Sequence, residues 1–191
     1  MRSMLVLIIL VCLAGCSAEP PPEPDITRTI GPTAPSYQPP PSLPPAVSRP
    51  LDASGYRTRI CEIVTNDQAQ ALGIPGAPDQ SEAPQFISCV RESKDPAVDL
   101  GLLYAGSELF GKAYRKNKSP LDYSKLVTIA GQPALEIGTP VLDGSIPYCQ
   151  IVLGLASDQA IQIDMNLHIG GSGACERATK VAEAIVHNLG G

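Results

Sequence analysis

Tryptophan is absent, phenylalanine occurs twice, and aromatic residues make up only 4% of the 191-residue chain. Any core must therefore be built from Ile, Leu, Val and Ala, without the large rings that form aromatic ligand cages. Positive charge is also scarce. The net charge of −5 lies entirely in residues 51–191, so no basic surplus exists to neutralise phosphates, which argues against nucleic acid as a partner. Histidine occurs twice, and a hydrolytic triad needs one that engages both a nucleophile and a carboxylate. His168 falls on the polar parity of its strand and His187 on the polar side of a helix, both solvated positions. Neither an EF-hand series nor H-E-x-x-H is present, so no metal site and no cofactor are expected. The apolar run Met4 to Leu13 spans ten residues, too short to cross a hydrocarbon core of about 30 Å as a helix.

That short run, preceded by Arg2, reads as a signal peptide. It ends in Leu13-Ala14-Gly15-Cys16, which resembles the bacterial lipobox, where cleavage before the cysteine leaves a thiol that accepts a diacylglyceryl group. Two or three acyl chains anchor a protein stably, whereas one holds it only marginally. The expectation is lipidation at Cys16 and a place on the extracytoplasmic face of a cell membrane. Twelve of the twenty prolines fall between Pro20 and Pro50, in a stretch with few large apolar residues and no period of 2 or 3.6. Such a segment cannot bury enough surface to offset its ordering entropy. Polyproline II stretches rise about 3.1 Å per residue, so thirty-odd residues reach up to roughly 100 Å. The organisation read from the sequence is thus a signal peptide over residues 1–15, a lipidated cysteine with a disordered Pro-rich tether over 16–50, and one domain over 51–191.

Within the domain the patterns become regular. Thr65-Asn66-Asp67-Gln68 fits a capping box and Gly73 a helix stop, placing a helix near 62–72. Strands are expected over 86–92, 97–104, 126–130 and 134–137. Tyr148 to Ala156 and Ala160 to Ile169 form the clearest hairpin, since Ile161, Ile163, Met165 and Leu167 alternate with polar neighbours. Ser107 reads as the cap of a helix to about 116, and Ala178, Val181, Ala182 and Ile185 form one side of a helix over 175–189. This order predicts an α+β domain, a curved antiparallel sheet of about five to six strands with helices on one face.

Beyond Cys12 in the signal peptide and Cys16, four cysteines remain: Cys61, Cys89, Cys149 and Cys175. In an oxidising compartment they predict two disulfides. Three pairings are open; Cys61 with Cys89 and Cys149 with Cys175 is favoured, because each joins a helix start to a nearby strand through a short loop. A zinc site is the alternative, but these cysteines lack the close C-x-x-C spacing that zinc sites show.

Lipobox, tether, Ile60-Cys61-Glu62-Ile63-Val64-Thr65, Ala71-Leu72-Gly73-Ile74, a lone Cys89, Ile129-Ala130-Gly131-Gln132-Pro133-Ala134, Cys149-Gln150-Ile151-Val152 and Ala174-Cys175 together resemble the actinobacterial lipoproteins grouped as domain of unknown function 3558. The resemblance spans nearly all of 56–190 and implies an α+β fold and an extracytoplasmic address, with no established activity. Arg91 departs from it, standing where the family usually carries an aromatic residue.

Chemistry is harder to find. Gly106 to Lys112 meets three of the four fixed positions of a P-loop, but Ala113 stands where a hydroxyl must hold magnesium. Gly170-Gly171-Ser172-Gly173-Ala174 misses the last glycine of a nucleophile elbow. Glu108 with Asp122, or Asp158 with Asp164, would have to meet in space to act as a glycosidase pair. Lys112, Arg115, Lys116, Lys118 and Lys125 form the one local concentration of positive charge. They are the candidate contact with an acidic partner of the cell envelope, a protein or a polymer. The expected function is a non-enzymatic binding or interaction module, with a carrier or sensor of an apolar small molecule or lipid as the alternative.

Overall fold

The computed structural model describes residues 44–83, 86–94, 97–105, 109–116, 123–168 and 172–190. Cys16, Ser107, Glu108, Lys118 and Asp122 lie outside the described residues. In chain order the elements are α1 (Asn66–Ala71), β1 (Pro78–Ala83), β2 (Phe86–Lys94), β3 (Ala97–Ala105), α2 (Leu109–Lys116), β4 (Tyr123–Ile129), β5 (Gln132–Thr139), β6 (Tyr148–Ala156), β7 (Gln159–Leu167) and α3 (Ala174–Asn188). The strands form one sheet in the order β1-β2-β3-β7-β6-β5-β4, with every neighbouring pair antiparallel.

Local chemistry sets the element boundaries. At α1 the Thr65 hydroxyl accepts from the Gln68 N–H at 3.2 Å, and the Gln68 side chain accepts from the Thr65 N–H at 2.9 Å. Thr65 is extended, so the residues before it cannot continue the helix; Ile60–Glu62 make a separate 3-10 turn where the sequence predicts one helix from 62. The β4–β5 connection is the two-residue turn Ala130-Gly131, with φ of 47° and 84°, the positive pair that suits the twist of a hairpin. Gln132 and Pro133, expected in the turn, open β5 instead.

The sheet has seven strands rather than the five to six predicted. The additional one is β1, Pro-Asp-Gln-Ser-Glu-Ala, which is largely exposed and has no apolar alternation to reveal it. Backbone pairing with β2 holds it, reinforced by a 2.7 Å contact between the Ser81 and Ser88 hydroxyls. The helices are also not all on one face. Ile151, Leu153, Ile161 and Ile163 face α3, which buries Ala178, Val181, Ala182 and Ile185 against them. Leu135, Val152 and Ala160 have the opposite parity, and Phe110 of α2 packs on them. In β6 the run from Ile151 to Leu155 is buried at every position, the pattern of a strand covered on both sides.

Both disulfides lie in the α3 layer. Cys61–Cys89 ties the 3-10 turn to β2 and Cys149–Cys175 ties β6 to α3. Arg91 sits on the same side of the sheet, only 3% exposed. Its guanidinium donates to the Gly76 and Val64 carbonyls at 3.1 and 3.3 Å and to Asn66 Oδ1 at 3.0 Å. Burial lowers its pKa, but an arginine stays charged at neutral pH. In place of an aromatic plug the chain thus has a cation that gathers the two ends of the α1 segment. Gly76 itself must be glycine, because a Cβ there would run into the Glu92 backbone.

Two outcomes follow from this layer. Arg91→Ala removes the donors of three acceptors and opens a cavity, and should cost roughly 3 kcal/mol in chemical denaturation. Loops of 28 and 26 residues are closed by the disulfides, so Cys149→Ser with Cys175→Ser should lower unfolding stability by about 2–4 kcal/mol.

Candidate functional site

The segment entering the domain is a strap pinned at the ends of β5, β6 and β7, with Leu51 and Ala53 buried in the α3-side core. Buried Gln132 donates to the Arg49 carbonyl at 2.8 Å. The N–H of buried Leu51 donates to the Leu155 carbonyl at 2.8 Å. Gln159 accepts from the Ala53 N–H at 2.7 Å and donates to Asp52 Oδ1 at 3.2 Å. The same Asp52 oxygen accepts from the Ser54 N–H, and the hydrogen bonds from Ser54, with that from Gln159, hold the carboxyl below its ordinary range. Arg49, within the stretch that composition assigns to the tether, is thus joined to the domain by a hydrogen bond.

Between this strap, α2 and the β6–β7 turn is a cleft of about 490 Å³. Pro44, Pro45 and Val47 of the strap, Phe110 of α2, Ser157 of the turn and Gln159 at the start of β7 line it. Pro44, Pro45 and Pro50 lack N–H groups, so the strap offers few backbone donors to the cleft. Among the described residues Arg115 is the only ionisable one in the lining. It folds back along its own helix, where a Cβ on Gly111 would approach its Nη1 to 3.2 Å.

The cations grouped by the sequence do not form one patch. Lys112, Arg115 and Lys116 are exposed on α2, whose Phe110 and Tyr114 are buried one turn apart. Lys125 lies on the opposite face of the sheet, 3.2 Å from Glu136. The hydrogen bonds that its ammonium donates to the Tyr123 oxygen and to the Glu136 carboxylate raise its pKa. Gly111 and Lys112 are helical, not part of a phosphate-cradling loop.

Elsewhere the second face combines the exposed Phe86, Val90 and Leu126 with a polar cluster. Asp164 accepts from Tyr148 Oη at 2.7 Å, Gln150 Nε2 at 2.9 Å and Gln162 Nε2 at 2.8 Å. The signal for this cluster was present in the sequence: all four residues share the polar parity of one hairpin, and Gln150 lies directly opposite Asp164. A carboxylate held by three donors has its acceptor capacity largely occupied, and Asp158 is six residues away along the same strand direction, roughly 20 Å at strand rise. Those two acids cannot form a glycosidase pair, which needs about 5–9.5 Å. His168 Nε2 is 2.6 Å from Asp99 Oδ2, whereas His187 is exposed on α3. Among the described residues no hydrogen bond joins Ser172 to either histidine, and no three or more His, Cys, Asp or Glu side chains are gathered as for a metal ion.

Burial, then the hydrogen bond to Asp164, raise the Tyr148 pKa well above its ordinary value. The native state therefore holds this proton where the unfolded chain releases it, so the stabilisation is full below pH about 10 and is lost as pH rises toward the native value. Unfolding measured across this alkaline range should show that loss in the wild type and a flatter profile in Tyr148→Phe.

No curated protein and no solved structure matches the chain. The sequence profile described as Protein of unknown function (DUF3558) matches residues 11–188, and with the match running through the lipobox-like segment, all four disulfide cysteines and the elements between them, the chain belongs to that family.

Proposed function

We propose that the protein is a lipid-anchored envelope lipoprotein whose domain acts as a non-enzymatic binding module outside the membrane. Cys16 carries the lipid, the Pro-rich segment is the spacer, and the outer side of α2 meets an acidic envelope protein or polymer. The observation that carries this reading is the exposure of Arg115 and Lys116 on one short helix of a domain that is acidic as a whole. A local cationic strip on a net-negative surface orients an acidic partner, although it adds more to association rate and selectivity than to affinity.

Two outcomes check it in cells that process lipoproteins. Cys16→Ala should abolish metabolic labelling with palmitate and move the protein from the membrane fraction to the soluble one; an unchanged membrane fraction would remove the anchor. A photo-crosslinker at position 116 should give a discrete product that disappears in Arg115→Glu, while one at the exposed Arg57 should not. Equal products at both positions, or none at 116, would remove α2 as the contact.

A second reading, a carrier or sensor of an apolar small molecule or lipid, is supported by the cleft beside α2. Its volume of about 490 Å³ is within the roughly 300–1,000 Å³ of ordinary small-molecule sites.

A further inference from the structure

We infer that this cleft is a site for a single-chain amphiphile with an anionic head, the head at the Arg115 guanidinium and the chain between the proline strap and Phe110. The inference rests on the carrier reading and names its ligand class.

Three observations converge on it. First, the lining combines the apolar Pro44, Pro45, Val47 and Phe110 with the uncharged Ser157 and Gln159 and, among the described residues, one cation. An apolar chain gains free energy with each CH₂ it buries, and the prolines of the wall offer no N–H to an extended peptide. Second, among the described residues the lining holds no Asp or Glu and Arg115 has no ion pair. A guanidinium at the edge of an apolar trough is the complement of a carboxylate or phosphate, to which it donates two parallel hydrogen bonds. Third, the wall runs into an anchored segment: hydrogen bonds to Gln132, Leu155, Gln159 and Gly190 fasten the strap at Arg49, Leu51 and Ala53, directly after Pro44 to Val47. Anchoring of this kind lowers the ordering cost of binding.

Other features carry less. The Val141 and Leu142 loop is exposed, but nothing in the structure shows what covers it. The Asp164 cluster satisfies its own hydrogen bonds.

The chain has no tryptophan, so Ser157→Trp at the rim places a single reporter in the cleft. The test uses the full mature chain with Cys16→Ser, purified without detergent and titrated below the micelle limit with dodecanoate, dodecyl phosphate, dodecanol and dodecyltrimethylammonium. Either anion should change the tryptophan emission saturably, and the tighter of the two identifies a fatty-acid or a phospholipid-like head. Dodecanol, with the same chain, should bind about tenfold more weakly. Arg115→Gln should weaken the anions by a similar factor and leave dodecanol unchanged, and Val47→Asp, which puts a carboxylate on the opposite wall, should weaken them as well. Equal binding of all four amphiphiles with no effect of Arg115→Gln would overturn the anionic-head inference while leaving an apolar carrier. Binding of none would overturn the carrier reading and the inference together.

Discussion

The arrangement depends on one constraint, that β6 is apolar on both of its faces. Ile151, Leu153 and Leu155 point one way and Val152 the other, with Gly154 beside it. A strand of this kind has to be covered twice. The first cover is α3, held by a disulfide and merged with the α1 layer. The second is α2, eight residues long, which would not be stable as an isolated helix in water. Its packing has to hold it. Burying Phe110 and Val152 supplies about 1.5–3 kcal/mol for each side chain, more than the few tenths that helix propensity offers per residue.

The cleft follows from the mismatch in size between that small helix and the sheet. Eight residues of helix are about 12 Å long, whereas seven strands at their normal spacing extend over roughly 30 Å. The strap lies next to α2, and the rest carries the polar cluster around Asp164 together with the exposed Phe86, Val90 and Leu126. Phe110 crosses over Gly154 so closely that a Cβ on that glycine would reach its ring at 3.4 Å. Where helix and strap fail to meet, an apolar trough remains with a cation at its edge. The site is thus the gap between two short covers.

Features that arise from neighbours in the chain were legible in the sequence. The Thr65 capping box, the alternation of β7, the apolar side of α3 and the two disulfides all follow from local spacing or from the order of cysteines. What was not legible depends on contacts distant in sequence. β1 is an edge strand held by backbone pairing, so it has no reason to be apolar. Arg91 looks like a surface residue until Val64, Asn66 and Gly76 are seen around it. The strap is proline-rich and reads as tether, yet its hold comes from Gln132 and Gln159, far along the chain. Lys125 is near α2 in sequence but on the other side of the sheet, which is why the cationic cluster divides. The side on which α2 packs was visible in principle, since an unbroken apolar run in β6 already implies two covers.

The central claim is that α2 closes the second face of β6, and nuclear Overhauser contacts from the two phenylalanine rings test it most directly. The account predicts strong contacts from the Phe110 ring to the Gly154 α-protons and the Val152 methyls, with slowed exchange of the α2 amides. A Phe110 ring without contacts to β6, on a helix whose amides exchange at the rate of an open chain, would contradict it, and the cleft would lose one of its walls.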